Sequence, residues 1–442
     1  MSTTATTNGT SSVLARGKSL PTSRSQRVLR PWLVAQALNL FRHARALRPF
    51  QREEFGPGPE VPSDGHIQAV NLLMAQLRTG LASRAKKMNL LVRAAIRQPS
   101  HVNITNAVTH KHQAHSWVQG IERIWDFYFE LFGQRQSKYG FWLLSCDRIA
   151  LDCYRTAHLG LGRERSVEAP PPFCYMQSGF GPATFRRGIR LKKLGRQINP
   201  FPLIKLPYHR LVNPWTLGAI LHEVAHNLQS DLGLSLVVPR RIARRLLKAG
   251  LPKQVARVWM RWNRETFADL AAVLLGGPGV VASLMDVVGR APAMTYFFNP
   301  NGVHPTPFLR VLISTELLRR MGFTEESEKY RQAWLRIYPN PRSGNFPEVI
   351  LKTANRAIEL VVDGLCYQPF AELGNKSLSQ AMPFEQKEQR MIEEAARRMA
   401  QGTDPGVVPE RFLIGAARFA LDNRLARAES IQTNFYKELA RR

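Results

Sequence analysis

Apolar positions recur at three- and four-residue spacing along most of this chain. The clearest stripe is Trp117, Ile121, Ile124, Trp125, Tyr128 and Leu131, the mark of an amphipathic helix whose aromatic face is core. A second helix is predicted over 138–158, and another around Trp32 to Leu47. Phe55-Gly-Pro-Gly-Pro-Glu-Val-Pro62 reads as a linker, because neither helix nor sheet tolerates such Pro and Gly density. After Pro170-Pro171-Pro172 the pattern changes, and Phe173 to Leu194 reads as short strands with a turn. A helix is then predicted from near Pro214, with Leu217, Ile220, Leu221, Val224, Ala225 and Leu228 on its inner face. Helices dominate to the end, with breaks at 276–279, 299–302, 339–344 and 402–405.

The expected fold class is therefore mainly α (α+β), with a small sheet in the middle of the chain. Four regions are expected: a basic, disordered arm and linker over 1–60, a helical region over 61–168, a domain of short strands and helices over 169–340 and a C-terminal helical region over 341–442.

Composition sets the broad class. The 442 residues are 44% hydrophobic and 21% charged, a globular balance. Cys146, Cys153, Cys174 and Cys366 are too few and too scattered for a disulfide framework, so reduced, buried cysteines are expected. The longest apolar run, Leu270 to Met285, is short and broken by Gly276-Gly277-Pro278-Gly279, so no membrane span is expected. The net charge of +29 attracts anions, whether nucleic acid, membrane surface or an acidic partner. Nine Lys or Arg precede the first acidic residue, Glu53, among many Ser and Thr. A cytoplasmic location is expected, with organelle import through this N-terminus as the other reading.

The chemistry-bearing segment is Leu221-His222-Glu223-Val224-Ala225-His226-Asn227. Residues four apart on a helix stand one turn above each other, so two imidazoles reach one metal ion. Glu223 sits about 100° round the helix from His222, where it can take a proton from water. A zinc site of this kind needs a third protein ligand. Arg264-Glu265-Thr266-Phe267-Ala268-Asp269 supplies it: Glu265 as ligand, and Asp269 one turn on to orient a ligating histidine. The apolar setting of Phe267, Leu270, Ala271, Ala272, Val273 and Leu274 makes two uncompensated carboxylates costly there.

His-Glu-x-x-His followed by Glu-x-x-Ala-Asp, and later by His304-Pro305-Thr306-Pro307-Phe308-Leu309-Arg310, resembles the gluzincin metallopeptidases. Among these it is similar to the family of heat-shock membrane proteases and CAAX prenyl proteases. The likeness covers about 173–320 and departs from that branch in having no span. It implies a zincin-like core, one zinc ion per chain, a peptide or protein substrate, and roles for His304 and Arg310 in positioning the substrate carbonyl and stabilising its oxyanion. In zincins the substrate lies along an edge strand. Here Thr184 to Leu191 is the candidate, continuing into a basic rim at Lys192-Lys193-Leu194-Gly195-Arg196 that suits an acidic substrate.

The expected activity is thus zinc-dependent peptide hydrolysis. The alternative is a catalytically silent protein of gluzincin fold that binds nucleic acid or an acidic protein through its basic surface. Hydrolysis of a non-peptide bond would use the same ligands. Two further clusters carry simpler expectations. His110, His112 and His115 read as a polar helix start, and Arg240 to Lys248 as a solvated basic face.

Overall fold

A computed structural model describes residues 24–162, 169–191 and 197–442. The helices in chain order begin with α1 (Arg24–Ala46), α2 (Asp64–Arg97), α3 (His101–Gly133), α4 (Gly140–Gly160) and α5 (Tyr208–Val212). The central set is α6 (Gly218–Asp231), α7 (Val237–Lys248), α8 (Lys253–Arg261), α9 (Asn263–Gly276), α10 (Pro278–Val288) and α11 (Pro292–Thr295). Then come α12 (Pro307–Arg320), α13 (Thr324–Ile337), α14 (Glu348–Val362), α15 (Leu378–Ala381), α16 (Gln386–Ala400), α17 (Phe412–Asp422) and α18 (Ala428–Arg441). The strands are β1 (Phe173–Met176), β2 (Ala183–Phe185) and β3 (Leu203–Leu206). The protein is mainly helical with one small sheet.

The chain divides into two compact units, Met1–Pro49 with Leu72–Trp125, and Phe50–Asn71 with Asp126–Arg442. The division falls inside α2 and α3, whereas the sequence pattern put boundaries at 60 and 168. The expected arm over 1–60 is helical from Arg24 to Ala46, and Leu33 and Leu40 of α1 and Leu47 just past its end are buried at seven-residue spacing. Residues 1–23 of that arm lie outside the described residues. In the same unit, Ile121 and Ile124 of the aromatic stripe are buried, and the Arg84 guanidinium lies 4.0 Å over the Trp117 ring. The histidine cluster sits in the body of α3, not at its start. Ser100 Oγ caps that helix by accepting from Asn103 N at 3.2 Å, and His110 Nε2 donates to Arg84 O at 3.0 Å.

In the second unit the sheet order is β1-β3-β2, with β1 parallel and β2 antiparallel to β3. The outer edge of β1 is closed by side chains. Cys174 N donates to Asp147 and Arg135 donates to Cys174 O, at 2.6 and 2.7 Å. Gln134 bonds both Met176 N and Met176 O, at 2.7 and 2.8 Å. An edge satisfied in this way cannot add a strand, which leaves β2 as the edge open to a cleft. Only the first residues of the expected Thr184–Leu191 strand pair here, and Arg190 makes an isolated bridge to Ile198.

The main core wraps α6 and α9, both almost wholly apolar on their inner faces. All four cysteines are free and buried. The C-terminal helices belong to this same unit, not to a separate region: Tyr436 Oη donates to Leu211 O at 2.5 Å. The basic face of α7 is only partly solvated, since Arg241 donates to Gly364 O and Gln368 O and its guanidinium covers the Phe370 ring. Among the described residues, no helix is long and apolar enough to cross a membrane.

Candidate metal centre

The turn Asn213–Leu217 delivers the chain into α6, where the four-residue repeat puts His222 and His226 one above the other. Glu265 stands in the first turn of α9, packed against α6. The three side chains converge: the two Nε2 atoms are 3.1 Å apart, and each lies 3.4 Å from a different oxygen of Glu265. Donor atoms about 2.0–2.1 Å from a tetrahedral metal ion are about 3.3–3.4 Å from one another. The two ring nitrogens and the Glu265 carboxylate thus come together at spacings close to those around a metal ion, with residue types that suit zinc.

The proton on His222 points the same way. Its Nδ1 lies 2.8 Å from Asp269 Oδ1, which favours a proton on Nδ1 and turns Nε2 towards His226 and Glu265. Asp269 is itself clamped by Arg310, whose Nε and Nη2 donate to its two oxygens at 2.8 and 2.7 Å. Without a metal ion, a proton on His222 Nε2 stands between the two rings and faces Glu265; a metal ion would take the place of that proton.

The electrostatics follow from this arrangement. Burial would lower the His222 pKa, but the Asp269 and Glu265 carboxylates outweigh it and hold it up at about 10. His226, buried and beside His222, is pushed down to about 3. Burial works against ionisation of Glu265 and Asp269, yet both are held below the usual carboxylate range. Glu265 owes this mainly to His222, and Asp269 to Arg310. Glu223 is lifted by burial to about 7, opposed in part by His222. Among the described residues nothing hydrogen-bonds or ion-pairs with the Glu223 carboxylate.

The expected site residues thus divide into three groups. His222, His226 and Glu265 form the donor cluster, and Asp269 orients His222. His304 precedes α12 at the cleft mouth, with 62% of its side chain exposed and Nε2 3.3 Å from Glu265 Oε1. Arg310 lines the cleft, is engaged with Asp269 through Nε and Nη2, and approaches Glu265 to 4.0 Å.

The cleft has a volume of about 660 Å³, within the range of ligand pockets. Thr184 of β2 borders it, and Asn227 fixes that strand to α6: its Nδ2 donates to Thr184 Oγ1 at 3.0 Å, and Thr184 donates to Leu203 O at 3.2 Å. Sequence reasoning missed Asn227, although its place beside His226 was a usable signal. The expected basic rim at 192–196 lies outside the described residues. Besides Arg310, three other cations, Arg186, Arg264 and Arg290, line the cleft, and burial followed by Arg264 lowers the Arg186 pKa. No protein-family model, no curated protein and no solved structure matches this chain.

Proposed function

We propose that the protein is a zinc-dependent peptidase in which His222, His226 and Glu265 hold the metal and Glu223 is the general base. The observation that carries this reading is the convergence, from two helices, of His222 Nε2 and His226 Nε2, 3.1 Å apart, on the Glu265 carboxylate, whose two oxygens lie 3.4 Å from one nitrogen each. Support for a zincin-like core comes from α6 lying against a small sheet whose open edge strand, β2, borders the cleft.

When bound, zinc supplies Lewis acidity and makes water acidic enough to ionise near neutral pH. The protein's own residues do the remaining work. Glu223, buried and unpaired, takes a proton from water and passes it to the departing amine. The edge of β2 offers main-chain groups to an extended peptide, as in strand addition. His304, exposed at the mouth, is placed to donate to the substrate carbonyl oxygen. Arg310 and Asp269 hold the His222 ring so that its Nε2 faces the cleft.

The test uses the full chain. About one zinc per chain and chelator-sensitive cleavage of casein are expected. Glu223→Gln should keep the metal and lose at least about a hundredfold in rate, the lower end for a general base. A chain without zinc, or a Gln variant as active as the parent, would reject the proposal.

A further inference from the structure

The unit of residues 24–49 and 72–125 has a composition unlike the rest of the molecule. It holds fourteen Lys or Arg against one acidic residue, Glu122. On α1 the buried positions Leu33 and Leu40 define the inner face. The opposite face is not simply polar. Val34, Leu38 and Phe41 lie there at 48%, 52% and 52% exposure, interleaved with the exposed Arg27, Arg30, Arg42 and Arg45. A soluble surface helix has no reason to present large apolar side chains there.

These side chains form one wall of a groove of about 850 Å³ between α1 and α2, with Ala85 and Val92 at its base. Arg45, Arg78, Lys86 and Arg93 stand around it. Among the described residues none of these four makes an ion pair. Beyond the groove, Trp32 is 40% exposed, and the Lys111 ammonium lies 5.2 Å over its ring.

The combination selects an occupant. A second copy of the unit would bring like charges together at close range. Nucleic acid offers phosphates to the cations and bases that could stack on Phe41 or Trp32, but it has nothing apolar to cover Val34, Leu38 and the alanines of the groove. An acidic amphipathic helix would satisfy the groove, yet it would leave Arg27, Arg30, Arg42 and Lys111 without partners. An anionic lipid surface satisfies both halves at once: apolar side chains enter the acyl boundary, the cations meet phosphates, and an exposed Trp sits at headgroup level. An extended negative surface also matches a positive charge spread over the whole unit.

We propose that residues 24–49 and 72–125 form a peripheral docking surface for an anionic phospholipid bilayer, with Val34, Leu38 and Phe41 as the inserted side chains. The proposal does not rest on the peptidase reading. With no described helix able to span a bilayer, the attachment is interfacial and reversible.

The experiment is flotation of the full chain with vesicles of phosphatidylcholine, with and without phosphatidylglycerol, over a range of salt. Binding to the anionic vesicles is expected, weakening as salt rises, with at least a tenfold drop on pure phosphatidylcholine. The double variant Leu38→Ser/Phe41→Ser keeps every cation and changes two exposed side chains, so folding is retained, as its thermal melt will show. It should bind at least tenfold more weakly. Unchanged binding by that variant would reduce the effect to charge attraction and overturn the proposal. So would failure to float with anionic vesicles, or capture of an acidic amphipathic peptide in place of vesicles.

Discussion

The geometry of a single ring, His222, sets what the cleft can hold. Its Nδ1 faces Asp269 and its Nε2 faces His226 and Glu265, so the carboxylate behind it decides which nitrogen is a donor to metal. The same carboxylate neutralises Arg310, which is buried with it. Asp269→Asn would break both relations with almost no change of shape. Zinc affinity should fall about 10–100-fold, the usual effect of losing an orienting carboxylate. Stability should fall by about 3–5 kcal/mol, because a buried guanidinium loses its counter-charge. Competition with a chelator and a thermal melt measure the two; unchanged zinc affinity would remove Asp269 from the site. The convergence of His222, His226 and Glu265 was legible, since the helix repeat stacks the two histidines and the apolar neighbours of Glu265 turn its carboxylate towards a partner. The partner of Arg310 was not, because the spacing of the His-Pro-Arg element does not reveal which carboxylate the guanidinium meets.

At the level of elements, the break after α9 shows what a local signal can specify. Gly276-Gly277-Pro278-Gly279 reads as a helix boundary, and the structure ends α9 at Gly276 and starts α10 at Pro278. Gly277 carries the reversal at φ 67 and ψ −154, a region that is essentially restricted to glycine. A Cβ there would also meet the Phe384 ring at 2.2 Å. Gly277→Ala should therefore cost about 2 kcal/mol or more from strain and overpacking. Urea unfolding measures this; a variant as stable as the parent would contradict the assigned backbone. Elements with weaker punctuation were less legible. β2 is shorter than the expected strand because its length is set by β3, the partner it pairs with, and not by its own alternation. The helix start assigned to His110 lies upstream, where Pro99 and the Ser100 cap set it.

Across the whole molecule, contacts between distant segments override the divisions suggested by Pro and Gly. The breaks near 339–344 and 402–405 mark loops, yet the chain beyond them packs into the unit that carries the donor cluster. Arg411, just before α17, shows the reason. It is buried, pairs with Asp152 of α4 at 2.9 Å and donates to Leu275 O in the last turn of α9 at 2.9 Å. One guanidinium thus satisfies a carboxylate and a helix-end carbonyl that have no other means of being buried together. No local pattern marks such a residue, because its partners lie far away along the chain. Arg411→Met fills similar space, removes the donor to Leu275 O and leaves the Asp152 carboxylate with the N–H of residue 411 but no counter-charge, so it should destabilise the unit by about 3–5 kcal/mol. Because α9 also carries Glu265, the loss should extend to the metal site: the melting temperature falls and zinc is released at lower denaturant than in the parent. If the variant unfolds at the parent's denaturant midpoint, the C-terminal helices are an appendage and α9 holds its place without them.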